Sequence, residues 1–161
     1  MEKAYEAGKA TEEQVLDGVM ALGRAYMWMG ERNECGECFE TAREGLVRLL
    51  DEGSAKALTA AYRVACNRHE DEEEKAADLR RLCEMAMISL PDEAVSFDIK
   101  NSLGYYLRYY KGEHKEAKML HLAALEGRRR VLGEEHKDTL ALLHNMGYLL
   151  WYEGDYEGAL D

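Results

Sequence analysis

Gly112-Glu-His-Lys-Glu-Ala117 and Gly154-Asp-Tyr-Glu-Gly-Ala159 are two versions of one segment, 42 residues apart. Each follows a matching helical stretch, Asn101-Ser-Leu-Gly-Tyr105 in one case and His144-Asn-Met-Gly-Tyr148 in the other. A recurrence of this period marks a solenoid, in which each helical hairpin buries its apolar side only against its neighbours. Working outward, turn residues recur at Gly30, Asp71, Gly112 and Gly154, with spacings of 41, 41 and 42. Five residues beyond each turn lie Cys35, Ala76, Ala117 and Ala159, and twelve beyond lie Ala42, Cys83 and Ala124. Fifteen beyond lie Gly45, Ala86 and Gly127, and nineteen beyond lie Leu49, Leu90 and Val131. These offsets share one face of a helix. Small residues there let the two helices of a hairpin approach closely, ridge into groove. The pattern predicts an all-α, right-handed superhelical solenoid of about four antiparallel hairpins. Repeats are expected at about 12–53, 54–93, 94–135 and 136–161.

Local signals place the helices. Thr11-Glu-Glu-Gln14 reads as a capping box, so the first helix is expected from about Glu12, after a ragged lead-in. Val15, Val19, Leu22 and Tyr26 recur at helical spacing through it. Gly30 marks a turn, a second helix is expected from about Asn33 to Leu50, and Gly53-Ser54 ends the hairpin and caps the next helix. That helix, about 54–69, carries a stripe of small apolar residues: Ala57-Leu58, Ala61-Tyr62 and Ala65-Cys66. Asp71-Glu-Glu-Glu74 is another capping box, opening a helix of about 72–90 that stops at Pro91, because the residue before proline avoids the α region. Asp92 is expected to cap an inner helix of about 94–110. One extra residue between Gly104 and Gly112 predicts that this helix is over-long or bulged.

Composition narrows the function classes. Of 161 residues, 47% are hydrophobic and 33% charged, with a single proline, which suits a folded helical protein. The net charge of −11 argues against nucleic acid and anionic lipid as partners. No apolar run is long enough to span a bilayer, and the start lacks the apolar core of a signal peptide. Four Cys without a secretory signal read as reduced thiols, so the cytoplasm is the default compartment.

The stretch ALEGRRRVLGEEHKDTLALLHNMGYLLWYEGDYEGAL, residues 124–160, resembles the long-period tetratricopeptide (TPR) repeat of kinesin light chains and nephrocystin-3-like proteins. The resemblance is specific in repeats three and four, weaker in one and weakest in two. His136-Lys-Asp-Thr-Leu140 stands where the family usually has His-Pro-Asp-Thr-Leu. The resemblance implies a protein-binding scaffold with the first helix of each hairpin lining a concave groove. It also implies that Asn145, which matches the second Asn of the family's Asn-Asn signature, contacts a bound peptide backbone. Ser102 replaces that Asn in repeat three, with Asn101 one position earlier, so the polar ladder is expected to be incomplete.

Motifs for chemistry are sparse. Cys35-Gly-Glu-Cys38 lacks the second ligand pair of a structural zinc and the βαβ setting of a redox site, and packing explains Cys35 and Cys83. The five His show no ligand spacing, the acids of Glu72-Glu-Glu74 suit a helix N-terminus, and Arg128-Arg-Arg130 suits a helix C-terminus. No catalytic residue, metal or cofactor is assigned. The groups Tyr26-Met-Trp28, Tyr105-Tyr106, Tyr109-Tyr110 and Leu150-Trp-Tyr152 are expected to be mostly inter-repeat core.

Charge points to a partner class. The inner helices of repeats two and three are locally basic, carrying Lys56, Arg63 and Arg68 in one and Lys100, Arg108 and Lys111 in the other. The expected function is a scaffold or adaptor that holds an extended, acidic segment of a partner protein in its groove. The candidate peptide-binding residues are Arg63, Lys100, Asn101, Tyr105, Arg108, His144, Asn145 and Tyr148. The alternatives are a structural or self-association module acting through an open C-terminal repeat, and a regulatory piece of a multidomain enzyme. The sequence ends at Gly158-Ala-Leu-Asp161 without a helix stop signal, so the chain is expected to be part of a longer protein. Exposed apolar surface is then expected around Leu149, Trp151 and Leu160.

Overall fold

A computed structural model describes residues 2–67, 72–152 and Gly154. Seven α-helices and one π-turn follow each other without a strand among the described residues: α1 (Glu2–Met29), α2 (Arg32–Leu49), α3 (Ala55–Asn67), α4 (Glu72–Ser89), α5 (Ala94–Tyr106), the π-turn (Leu107–Lys111), α6 (His114–Leu132) and α7 (Lys137–Tyr152). They form two layers. In the inner layer Lys56 of α3 bonds Asp17 of α1, Tyr62 of α3 bonds Ser102 of α5, and Asn145 of α7 bonds Asn101 of α5. In the outer layer Arg80 of α4 pairs with Glu113 and Glu116 at the start of α6. No helix among the described residues is long and apolar enough to cross a membrane.

The small-residue slots are where the layers meet. Cys35, Ala76 and Ala117 are buried, as are Ala42, Cys83 and Ala124 and the third set, Gly45, Ala86 and Gly127. At Gly127 the reason is direct: a Cβ there would collide with the Phe97 ring. A Cβ on Gly45 would stand 2.6 Å from Leu16 Cδ2. Each glycine therefore lets an inner-helix side chain lie flat on the outer helix. The slot nineteen past the turn behaves differently, with Leu49 and Leu90 only half-buried and Val131 exposed. By that point the outer helix has run past its inner partner.

Helix α3 packs into two clusters. Ala57, Ala60 and Val64 pack towards α1 and α2, in one cluster with Leu16, Met20 and Phe39. Leu58 and Ala65 face the other way, in the cluster with Leu79, Ala86 and Ile99. Helix ends follow local chemistry. The Ala57 N–H donates to Ser54 Oγ at 3.3 Å, so Ser54 caps α3 as expected. Helix α4 ends at Ser89, two residues before Pro91.

Several expectations are corrected. Helix α1 runs unbroken through Thr11 from Glu2, so the Thr11-Glu-Glu-Gln14 box is not a helix start. The residues before it are mostly Ala, Glu and Lys, which favour continuing a helix. Its buried face is Leu16, Met20 and Gly23, while Val15 is 61% exposed and Leu22 also faces out. The N-cap position of α5 is Glu93 without a side-chain bond, and Asp92 instead accepts from Arg130. The aromatic groups are mostly surface: Trp28 is 88% exposed and Tyr105, Tyr109, Tyr110 and Tyr152 are exposed, whereas Tyr106 is core and Tyr26 packs half-buried on the core of the first hairpin. Leu149 is fully buried rather than exposed, whereas Trp151 is exposed. The Asp71 cap, Arg68, Ala159 and Leu160 lie outside the described residues.

The bulge predicted for α5 is the π-turn. The Gly112 N–H donates to the Leu107 carbonyl, five residues back, and Gly112 closes the turn at φ +67°, where a side chain would be strained.

Candidate functional site

Helices α5 and α7 lie side by side in the inner layer, and their facing residues open a cavity of about 220 Å³. It is lined by Tyr105, Arg108, Tyr109, His121, His144, Asn145 and Tyr148. A second cavity of about 200 Å³ continues it towards the hairpin turn, bounded by Arg108, Tyr109, His114, Tyr148 and Tyr152. The helical period places Tyr105 and Tyr109 one above the other, with ring centroids 4.4 Å apart. Tyr106 and Tyr110 stack in the same way at 4.7 Å, one residue around the helix.

The Arg108 guanidinium sits among three of these rings. Its central carbon is 4.3 Å from the Tyr109 centroid, 5.3 Å from Tyr148 and 6.0 Å from Tyr105. Ring faces attract the cation and hold it in place. No carboxylate among the described residues forms an ion pair with it. Stacking leaves the in-plane N–H groups of a guanidinium available to an acceptor.

The floor is a polar network. Asn101 Oδ1 accepts from Asn145 Nδ2 at 3.4 Å and lies 3.1 Å from His121 Nδ1. With an amide oxygen as partner, Nδ1 carries the ring proton. Burial, with a smaller push from the Arg108 charge, lowers the His121 pKa from 6.5 to about 4, so the ring is neutral at pH 7. Asn101 of repeat three meets Asn145 of repeat four directly, and Ser102, at the position where the ladder's amide is missing, bonds the Tyr62 hydroxyl at 2.7 Å.

Of the eight candidate residues, Tyr105, Arg108, His144, Asn145 and Tyr148 line the cavity and Asn101 supports it. Arg63 and Lys100 do not join them. Arg63 lies over the Tyr62 ring and, with Arg128, opposes the upward push of burial on the Asp98 carboxyl. Lys100 is 9% exposed and lies against Phe97. Two further cations of the proposed basic strip are already paired: Lys56 with Glu13 and Asp17, and Lys111 with Glu73. Among the described residues of the strip, Arg108 is the one that lines the cavity. Sequence reasoning missed three contributors. His114 and His121 looked scattered because they belong to α6, and no spacing along α5 or α7 reports them. Arg128, read as a helix-end cation, is buried, bonds Asp98 and donates to the Asp138 carbonyl at 2.7 Å, tying α6 to both inner helices.

The geometry agrees with what comparison finds. The Tetratricopeptide repeat family model matches residues 96–161. Residues 96–161 are tetratricopeptide repeats. Among solved structures, the nearly identical TPR-like repeats of a Podosopora anserina protein described as a kinesin light chain superpose with a TM-score of 0.75. The match has 18% identity and covers 91% of this chain and 71% of that one. BtubC (BKLC) from P. vanneervenii gives a TM-score of 0.72 at 19% identity, over 92% of this chain and 60% of that one. At such identities the likeness is one of fold, and it extends the tetratricopeptide solenoid back over the first two hairpins. No curated protein matches the sequence. Tetratricopeptide repeats such as those matched at 96–161 are in general protein–protein interaction modules. Among the described residues no group of His, Cys, Asp or Glu is arranged to hold a metal ion.

Proposed function

We propose that this chain is an adaptor that holds an extended, acidic segment of a partner protein along its inner helices, chiefly where α5 faces α7. One observation carries the reading: most of the candidate residues converge on a single cavity around a ring-stacked arginine without a carboxylate partner among the described residues. Asn145 stands at its edge with an amide that both donates and accepts, which suits a peptide backbone. A rigid helical surface loses little entropy on binding. The cytoplasm is the proposed compartment, and repeats are proposed at about 12–53, 54–93, 94–135 and 136–161.

A displayed library of extended peptides tests this when selected against the wild type and against Arg108→Glu at low and high salt. Enrichment of acidic peptides on the wild type, weakened by salt and absent from the variant, is expected. Selection of neutral or basic peptides, or equal selection on the variant, would contradict it. The exposed Trp151 and Tyr152 favour a second reading, self-association through the C-terminal repeat. Light scattering across a concentration series separates the two.

A further inference from the structure

Three inner helices align on the glycine where each meets its outer helix. Gly23 lets α1 approach Phe39 of α2, Gly104 lets α5 approach His121 of α6, and Gly147 is the matching residue of α7. The positions eight, five and one before Gly104 and two after it are Ser96, Ile99, Leu103 and Tyr106, all buried. The same count from Gly147 gives Thr139, Leu142, Met146 and Leu149, again all buried. Ile99, Leu103 and Tyr106 share a cluster with Leu58 of α3 and Leu79 of α4, and Leu142 and Met146 share one with Phe97 and Ala124. This is the face that a hairpin turns to the one before it. On α1 the same count gives Val15, Gly18, Leu22 and Ala25, and all four are exposed, Val15 by 61% and Leu22 by 47%. The face is built there and left open among the described residues.

The open face has an order that its buried counterparts lack. With Thr11 and Met29, also exposed, it forms a stripe at alternating steps of four and three residues, about 27 Å long at 1.5 Å per residue. Large and small alternate along it: Val15, Leu22 and Met29 recur every seven residues, with Thr11, Gly18 and Ala25 between them. Beside it run Gln14, Ala21 and Trp28 on one flank and Glu12, Val19 and Tyr26 on the other. Glu12 is the one charge among these residues, and it is paired with Arg48. Gly18 serves nothing within its own chain, since a Cβ there would meet no atom within 4 Å, and a glycine inside a helix costs stability.

We infer that α1 is a dimerisation surface, on which a second copy of this chain lays its own α1 antiparallel about a two-fold axis near Met20. Two observations select a second copy. Under that axis Leu22 meets Gly18 of the other copy, Val15 meets Ala25 and Met29 meets Thr11, so every large residue enters a gap left by a small one. Parallel pairing would set Leu22 against Leu22 and Gly18 against Gly18. The faces of α5 and α7, which pack on a hairpin instead of on themselves, show no such alternation. Charge agrees: two chains of −11 each repel over most of their surface, and this stripe lets them touch without bringing like charges together. The role ascribed to Gly18 is to admit Leu22 of the other copy. The inference stands apart from the acidic-segment reading.

The test is sedimentation of the whole chain over a concentration series, with circular dichroism to show that each variant folds. The wild type should pass from a monomer of 18.3 kDa to a dimer and grow no further. Leu22→Glu, at an exposed position, should keep its helix content and raise the dimer Kd at least about tenfold, because it sets a charge in an apolar contact. Gly18→Gln should stabilise the helix and yet weaken the dimer. Val15→Lys and Ala25→Glu should each weaken it, and the double variant should recover most of the loss, since the opposite charges then face each other across the axis. Trp151→Glu, at the far end of the solenoid, should leave the dimer unchanged. A wild type that stays monomeric or grows past the dimer overturns the inference. So does association that survives Leu22→Glu, or is lost with Trp151→Glu, and so does a double variant no better than the single ones. If Leu22→Glu does not fold, Gly18→Gln decides.

Discussion

In hairpin three, Phe97 lies flat over Gly127, Ala124 is sealed beneath, and Arg128 reaches across to Asp98 and the Asp138 carbonyl. In hairpin two, Ala86 stands at the matching slot, but α3 brings Ala57, Ala61 and Ala65 to the space between α2 and α4. A cavity of about 200 Å³ remains there, floored by those alanines with Leu58 and Val64 and rimmed by Arg43, Glu52, Asp78 and Arg81. The two hairpins share their slots and differ in filling. Slots decide where two helices come close. The size of the side chain offered by the inner helix decides whether the approach leaves a void.

The difference is breakable in both directions. Phe97→Ala should open a void in hairpin three like that of hairpin two and cost about 3–5 kcal/mol in urea denaturation. A loss below about 1 kcal/mol would mean that the ring is not what holds α5 to α6. Next in size is the pH response of the His121 network. The folded pKa lies near 4, below the ordinary 6.5, so the unfolded chain binds the proton more readily. The network's stabilisation is therefore complete above about pH 6.5 and fades as pH falls towards 4, by up to ~3 kcal/mol in all. Chemical denaturation of the wild type and His121→Phe across that interval should show a slope in the first and a flatter profile in the second.

The smallest effects oppose one another. Ala124→Leu should overpack hairpin three and cost ~1–3 kcal/mol. Ala61→Leu should enter the void of hairpin two and be neutral or stabilising by about 1 kcal/mol. Equal losses at both sites would erase the distinction between the hairpins.

Much of this frame was legible in the sequence because turns and slots are local chemistry. Ser54, Pro91 and Gly112 end or cap helices whatever surrounds them, and the slots recur at fixed offsets from the turns. Half of the stripe on α1 holds, with Val19 and Tyr26 packed half-buried on the core, but Val15 and Leu22 face out, because Val15 and Leu16, and Leu22 and Gly23, are adjacent and both helical series look apolar. Only the neighbours Phe39 and Gly45 decide which of them is buried. The tyrosines were misread for a related reason. A ring at the hairpin edge is core only if a neighbouring repeat covers it, and spacing along one helix does not report that. The site was half legible: Tyr105, Arg108, Asn145 and Tyr148 stood out on α5 and α7. The contributions of His121 and Arg128 depend on how α6 crosses behind both helices.

The comparison between hairpins also says where a partner should sit. On the proposed function, the polar, arginine-bearing boundary of hairpins three and four would hold the partner, and the alanine-lined cavity between α2 and α4 would not. A chemical-shift map of the ¹⁵N-labelled chain, titrated with an acidic extended peptide selected as above, tests that most directly. The account predicts perturbations concentrated on Asn101, Tyr105, Arg108, Asn145 and Tyr148, with Ala57, Ala61 and Met85 unmoved. Perturbations centred on the α2–α4 cavity, or spread evenly over the acidic surface, would contradict it.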